Sequence, residues 1–287
     1  MKFRRILFPV DFSERSRAVA PFVLSLAQRY TASVVLFHVI EPPPPMYGGM
    51  GTLYPETFDF TDSRRALLRN LDDFGVAELP RVEVSSAVEI GDPASAISDY
   101  AQSNGIDLIA LATHGYGVFR RALLGSVASK VLHDVKIPVW IAAHAPEPSH
   151  RAHPRPRHIL AALDLDRGAR ETLDAAVAIA KDSGATLDLV TAVAEGVMAP
   201  GMADAQLEDL LKEGARGLIA KLQFEAGTNL PAVIEIGSPA KVVREIALSK
   251  RTDLIVAGHG NIHGVIGRLL ADIDAIIREA PCPVLSL

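Results

Sequence analysis

The chain is short of the residues that would tie it to an oxidising compartment, a membrane or a nucleic acid. Among 287 residues there is a single cysteine, Cys282, so no intrachain disulfide can form and a reducing compartment is the expected setting. No apolar run approaches the roughly 20 residues that a membrane-spanning helix needs. Met1-Lys2-Phe3-Arg4-Arg5 has the charge of a signal n-region, but the apolar run Ile6 to Val10 stops at Asp11 and is too short to continue one. Lys and Arg number 29 against 34 Asp and Glu, a formal net charge of −5, which excludes a global basic field for nucleic acid or anionic lipid. There is no Gly-Lys-Ser/Thr loop of the Walker type, and Gly115-Tyr116-Gly117 lacks the third glycine of the dinucleotide fingerprint. A cytoplasmic protein with neither nucleic-acid nor membrane partners is expected.

What is there is a balanced globular composition, 49% hydrophobic and 22% charged, and enough length for two ordinary domains. Arg5-Ile6-Leu7-Phe8-Pro9-Val10 reads as a strand, and Ser13 as the N-cap of a helix with Val19, Phe22, Val23 and Leu26 on one face. Pro21 should bend that helix. Ser33 to Val39 is a second strand. Glu41 to Gly51, with four consecutive prolines, is expected to lack regular structure. A helix near 61–76, a strand at 82–88, a helix at 93–102, a strand from Asp107 and a last strand at Pro138–Ala142 complete the unit. Alternating strands and helices argue for a parallel sheet covered on both faces.

The chain then starts again. His144 to Pro156 is a Pro-rich linker. Beyond it Arg157-His158-Ile159-Leu160-Ala161-Ala162-Leu163-Asp164 echoes Arg4 to Asp11, Glu235-Ile236-Gly237-Ser238-Pro239 echoes Glu89 to Pro93, and Pro281-Cys282-Pro283-Val284 echoes Lys136 to Val139. This is a tandem duplication, with domains at 1–143 and 157–287 on either side of the linker at 144–156.

Chemistry concentrates at one stretch, Ala112-Thr113-His114-Gly115 through Gly125-Ser126. A short apolar strand precedes it and a helix with apolar residues at helical spacing follows. Small residues allow a backbone to approach a ligand, and a helix N-terminus offers unpaired N–H groups and a positive dipole end to a phosphate. Each residue also has a plain structural role open to it: Ser126 as N-cap, Gly115 and Gly117 as turn residues, Asp11 as a cap for the first helix.

The stretch resembles the signature of the universal stress protein family, G-x2-G-x9-G-[ST], with Ala112 in place of the first glycine. Phe8-Pro9-Val10-Asp11-Phe12-Ser13, Leu36-Phe37-His38-Val39 and Gly91-Asp92-Pro93 match further family landmarks. The resemblance implies two tandem flavodoxin-like, Rossmann-like α/β domains, each a five-stranded parallel sheet of order 3-2-1-4-5. It implies ATP, with Mg²⁺, in the first domain. Asp11 would meet the ribose, and Pro9, Val10 and Val39 the adenine. Ala112, His114, Gly115, Gly125, Ser126 and Val127 would surround the phosphates, with Arg120 and Arg121 within reach or facing water.

In the second copy Asp164 persists, Val193 is aligned with Val39 and Ala192 with His38. Leu270-Ala271 stands where Gly125-Ser126 stood and Asp272 follows, so that copy is expected to be degenerate and structural. With no paired carboxylates in the loop, little or no catalysis is expected, at most slow ATP hydrolysis. The resemblance further implies pairing through the last strands, Pro138–Ala142 with Pro283–Leu287, as an intrachain pseudo-dimer. A homodimer of whole chains and an unidentified protein partner complete the expectation. The competing readings are a nucleotide-free stress adaptor and, more remotely, an adenylate-transferring enzyme.

Overall fold

The computed structural model describes residues 2–43, 46–48, 51–53, 59–112, 124–142, 155–165, 168–193, 204–258 and 273–287. Among these, 2–112 and 125–138 form one compact unit; Leu124, 139–142 and 155–287 form another.

The first unit holds β1 (Arg5–Pro9), α1 (Glu14–Tyr30), β2 (Ser33–Ile40), the short β3 (Met46–Gly48) and β4 (Gly51–Leu53), α2 (Thr61–Glu78), β5 (Val84–Ile90), α3 (Pro93–Ser103), β6 (Leu108–Ala112) and α4 (Ser126–Asp134). Its parallel sheet runs β6-β1-β2-β5. β1 is therefore central, and its residues Ile6, Leu7 and Phe8 are all fully buried, as are Leu108, Ile109 and Ala110 on β6. Consecutive buried residues mean that both faces are covered. β5, at the edge, is mostly half-buried or exposed. The right-handed rule for parallel crossovers puts α1 and α2 on one face, because β1 to β2 to β5 steps in one direction. The step back from β5 across β1 to β6 puts α3 on the other face. Accordingly α1 packs beside α2, and α3 beside α4.

The helix that holds Pro21, α1, runs from Glu14 to Tyr30, and one expectation is modified. The proline-rich stretch is not wholly irregular, since β3 and β4 pair antiparallel, Met46 opposite Leu53. The prolines, which cannot donate to a ladder, all precede the paired residues.

The second unit holds β7 (Val139–Ala142), β8 (His158–Ala162), α5 (Ala169–Ser183), β9 (Thr186–Val193), α6 (Asp204–Ala226), β10 (Ala232–Ile236), α7 (Pro239–Ser249), β11 (Leu254–Ala257), α8 (Ile273–Glu279) and β12 (Val284–Ser286). Its strands run β10-β9-β8-β11-β12-β7. The first five of these are the expected 3-2-1-4-5 order. β7 closes the row antiparallel to β12, with Trp140 opposite Leu285.

The duplication is visible bond by bond. Asp107 accepts hydrogen bonds from the Arg4 and Arg5 N–H groups, and Asp253 accepts them from Arg157 and His158. Each carboxylate thus satisfies the orphan donors at the start of its unit's central strand. The N–H of Gly91 reaches the Ile40 carbonyl at 3.0 Å, and that of Gly237 reaches Val193 at 3.0 Å. Both glycines have a strongly positive φ, 151° and 145°, which a side chain would disfavour.

Asp107→Ala should lower unfolding stability by about 1.5–3 kcal/mol, the range for hydrogen bonds to a charged group, and Asp253→Ala should do the same. Denaturant unfolding checks both, and Asp107→Asn, which keeps an acceptor oxygen, should lose less.

Candidate functional site

The strand order reverses at β1, between β2 and β6, and in open α/β sheets such a switch point opens a crevice beyond the strands' carboxyl ends. The register places the expected residues there. Pro9 pairs with Phe37 and Leu7 with Ile109, so Asp11 stands level with Val39, and Val10 with Ala112. Pro9, Val39 and Ala112 are half-buried, Val10 is buried and Asp11 is exposed.

β1 is held at its exit by main-chain bonds to its neighbour. The Val10 N–H donates to the Phe37 carbonyl at 2.8 Å. His38 lies 2.7 Å through Nδ1 from the Val10 carbonyl, which as an acceptor fixes the tautomer with the proton on Nδ1. This role for His38 was not foreseen. The signal for it was a histidine ending an apolar strand.

The next residue but one, Phe12, has φ 61°, a conformation unfavourable for a bulky side chain. Its ring is held by His38, with centroids 5.1 Å apart, and by Phe74 at 6.5 Å. That left-handed step turns the chain from β1 into α1. Ser13 caps α1, its hydroxyl accepting from the Ser16 N–H at 3.3 Å.

Asp11 Oδ1 gathers the Ser13 N–H at 3.0 Å, the Ser13 hydroxyl at 2.6 Å and the Ser16 hydroxyl. Burial raises the Asp11 pKa, but these bonds outweigh it, leaving the carboxyl below its ordinary value. Asp11 is therefore part of the helix start, the structural role considered for it, and it is an oriented anion at the sheet edge.

On the far side, Gly125 is the N-cap of α4, with φ −63° and ψ 148°, and as a glycine it supplies no side-chain cap. Ser126, exposed, and Val127, half-buried, open the helix. α4 is tied to α3 one turn in. Lys130 Nζ lies 2.9 Å from Asp92 Oδ1 and 3.1 Å from the Ser95 hydroxyl, while Asp92 caps α3 by accepting from the Ser95 N–H at 2.9 Å. Lys130 first, then the Ser95 N–H and hydroxyl, hold the Asp92 carboxyl down at about 2. His114 and Gly115, with Arg120 and Arg121, lie outside the described residues. Among the described residues no group of three or more His, Cys, Asp or Glu is placed to hold a metal ion, and no helix is long and apolar enough to cross a membrane.

The second copy repeats the clamp with a different side chain. Leu163 N–H donates to Val190 O at 2.8 Å, and the Thr191 hydroxyl donates to Leu163 O at 2.7 Å. The partner of Leu163, the counterpart of Val10, is thus Thr191. Thr191 replaces His38 and Ala192 replaces Val39, one position earlier than the sequence alignment of Ala192 with His38 and Val193 with Val39. Asp164 is buried where Asp11 is exposed. Gly258 ends this copy's fourth strand, and a Cβ there would stand 2.7 Å from Thr172 Oγ1 on α5. Packing against Thr172 by itself therefore favours a glycine at that place. His259, Gly260, Leu270, Ala271 and Asp272 lie outside the described residues.

A doubly wound sheet whose strand order reverses at its first strand, repeated once, defines a class of tandem α/β proteins. Comparison makes it specific: the model of the universal stress protein family matches residues 2–143 and again 156–287, and the chain belongs to that family. It is similar to Universal stress protein A homolog 1 of Coxiella burnetii, 30% identical over 46% of this chain and 95% of that protein. It is also similar to Universal stress protein Rv2005c of Mycobacterium tuberculosis, 24% identical over 98% of this chain and 95% of that one. The crystal structure of a universal stress protein from Archaeoglobus fulgidus, 22% identical, covers 99% of this chain and 96% of its own with a TM-score of 0.65, a likeness of fold.

Asp92→Ala should cost about 1 kcal/mol at neutral pH, the ordinary worth of a helix cap. The group's folded pKa is depressed, so its contribution is present above the ordinary value of 3.8 and is lost as pH falls through about 2. Thermal unfolding of the two proteins should therefore differ at pH 7 and converge only as pH falls below about 2.

Proposed function

We propose that the first half of the chain binds ATP, carrying Mg²⁺ on its phosphates, at the carboxyl edge of β6-β1-β2, and that the protein is a stress-response regulator with little or no catalysis. The observation that supports this reading is an exposed, oriented carboxylate at the exit of β1, Asp11, in the same unit as a helix, α4, that starts on Gly125-Ser126 with a glycine as its N-cap. The Asp11 bonds fall on Oδ1, so Oδ2 accepts from the ribose hydroxyls. Pro9, Val10 and Val39 wall the adenine. Ala112, Gly125, Ser126 and Val127 line the phosphate end, where N–H groups and the α4 dipole favour negative charge, and His114 and Gly115 complete it. The Mg²⁺ arrives with the nucleotide, since no carboxylate cluster among the described residues calls for a resident ion. The C-terminal domain, 157–287 in this reading, serves as a structural partner beyond the 144–156 linker, and the cytoplasm is the setting.

Native mass spectrometry with Mg-ATP should find one nucleotide per chain, lost in Gly125→Leu with Ser126→Ala. At a hundredfold excess over Kd, linkage should stabilise the fold by about 2.7 kcal/mol. Two nucleotides per chain would contradict the inactive second half. None at millimolar ATP would overturn the reading and leave a nucleotide-free adaptor acting through protein contacts.

A further inference from the structure

We propose that the outward face of α6 is a self-association surface, on which α6 of a second copy of this chain packs antiparallel about Gly217. Ala215, Ile219 and Gln223 turn α6 inward and are buried. On the opposite side Leu210, Gly217 and Phe224 recur every seven residues, and Leu210 is 59% and Phe224 87% exposed. A spacing of seven keeps one seam on one face of a helix.

The glycines of this face are unexplained by the chain itself. Among the described residues a Cβ on Gly214 or Gly217 would meet nothing within 4 Å, and neither residue has a positive φ. Each costs the helix about 1 kcal/mol relative to alanine with no gain in the isolated unit. Close approach of another backbone is what a glycine allows.

The charges choose the occupant and its direction. Glu213 lies one turn before Gly217 and Lys221 one turn after. Antiparallel packing about Gly217 sets each copy's Glu213 beside the other's Lys221 and each Leu210 beside the other's Phe224. A parallel pair would oppose Glu213 to Glu213 and Lys221 to Lys221. The face is therefore complementary to itself, the requirement of a two-fold contact. Its charges are at present spent on exposed pairs within the helix, Glu213 with Arg216 at 3.0 Å and Lys221 with Glu225 at 4.0 Å, which are worth little and are readily exchanged. α2, the counterpart in the first copy, exposes Arg69, Asp72 and Asp73 beside a single large apolar side chain, Val76. One helix pair is a small contact, at the low end of the range for specific interfaces, below about 1,200 Å², so association should depend on concentration.

Cross-linking tests the geometry in the full chain. Gly217→Cys places the two thiols on the two-fold axis and should yield a disulfide-linked dimer under mild oxidation. Glu213→Cys should not, because the two sites lie about 12 Å apart along the helices, beyond the ~7 Å that a disulfide can bridge. The unsubstituted chain, with only Cys282, is the control. Equal cross-linking of both variants, or none, overturns the proposal. Sedimentation equilibrium supplies the second readout: Phe224→Glu should weaken the dimer by about tenfold or more. Glu213→Lys should weaken it and the added Lys221→Glu should restore it. A monomer at every concentration, or a dimer indifferent to Phe224→Glu, overturns it too.

Discussion

The carboxyl edge of the first sheet depends on how one buried peptide group is satisfied. Val10 leaves β1 inside the core, where an unpaired N–H or carbonyl would cost as much as a lost hydrogen bond. Phe37 takes the N–H and His38 the carbonyl. The imidazole so fixed presents its face to Phe12, whose ring contacts with His38 and Phe74 hold a backbone conformation that phenylalanine would otherwise avoid. That turn delivers Ser13 to cap α1 and Asp11 to the sheet edge. Clamp, left-handed turn, cap and carboxylate are one arrangement. A change at His38 would reach Asp11 through two intermediate contacts.

Much of this was legible before the structure. The strands announced themselves by apolar runs bounded by Asp, Gly and Pro, and the helix starts by Ser13 and Asp92. The central place of β1 was not legible in the apolar pattern, because a buried run looks alike at any interior position of a parallel sheet; it came from the family resemblance, whose order 3-2-1-4-5 puts the first strand in the middle. The site residues at the strand exits fall together because parallel strands share one carboxyl edge, a consequence of topology that alternation of elements already implied. The His38 bond was hidden for a different reason. Its partner is a main-chain carbonyl 28 residues away, and no residue type marks a carbonyl as needing a donor. The same blindness misplaced the second copy by one residue. Threonine and histidine look unrelated in a sequence, yet Thr191 and His38 do the same work on Leu163 and Val10.

Comparing the copies separates what the fold demands from what a ligand or partner would. The features shared by both are the Asp107 and Asp253 clamps, the positive-φ glycines at 91 and 237, and the closed peptide at Val10 and Leu163. All satisfy or position backbone groups at the ends of strands, so giving one up costs the sheet stability. Gly258 is not shared, since Ala112 stands there in the first copy, and it answers to the second copy's own packing, where a methyl would strike Thr172. A glycine at that position is thus weak evidence for phosphate binding, and Ala112 in the first copy is weak evidence against it. What differs between the copies lies where the sheet is indifferent: Asp11 exposed against Asp164 buried, and the outer faces of α2 and α6. Packing constrains the inner faces of those two helices, apolar but for Gln223, and leaves their outer faces unconstrained. A mostly charged outer face needs only water. An outer face of leucine, phenylalanine and glycine lowers both solubility and helix stability, and such a choice persists where something outside the unit offsets the cost.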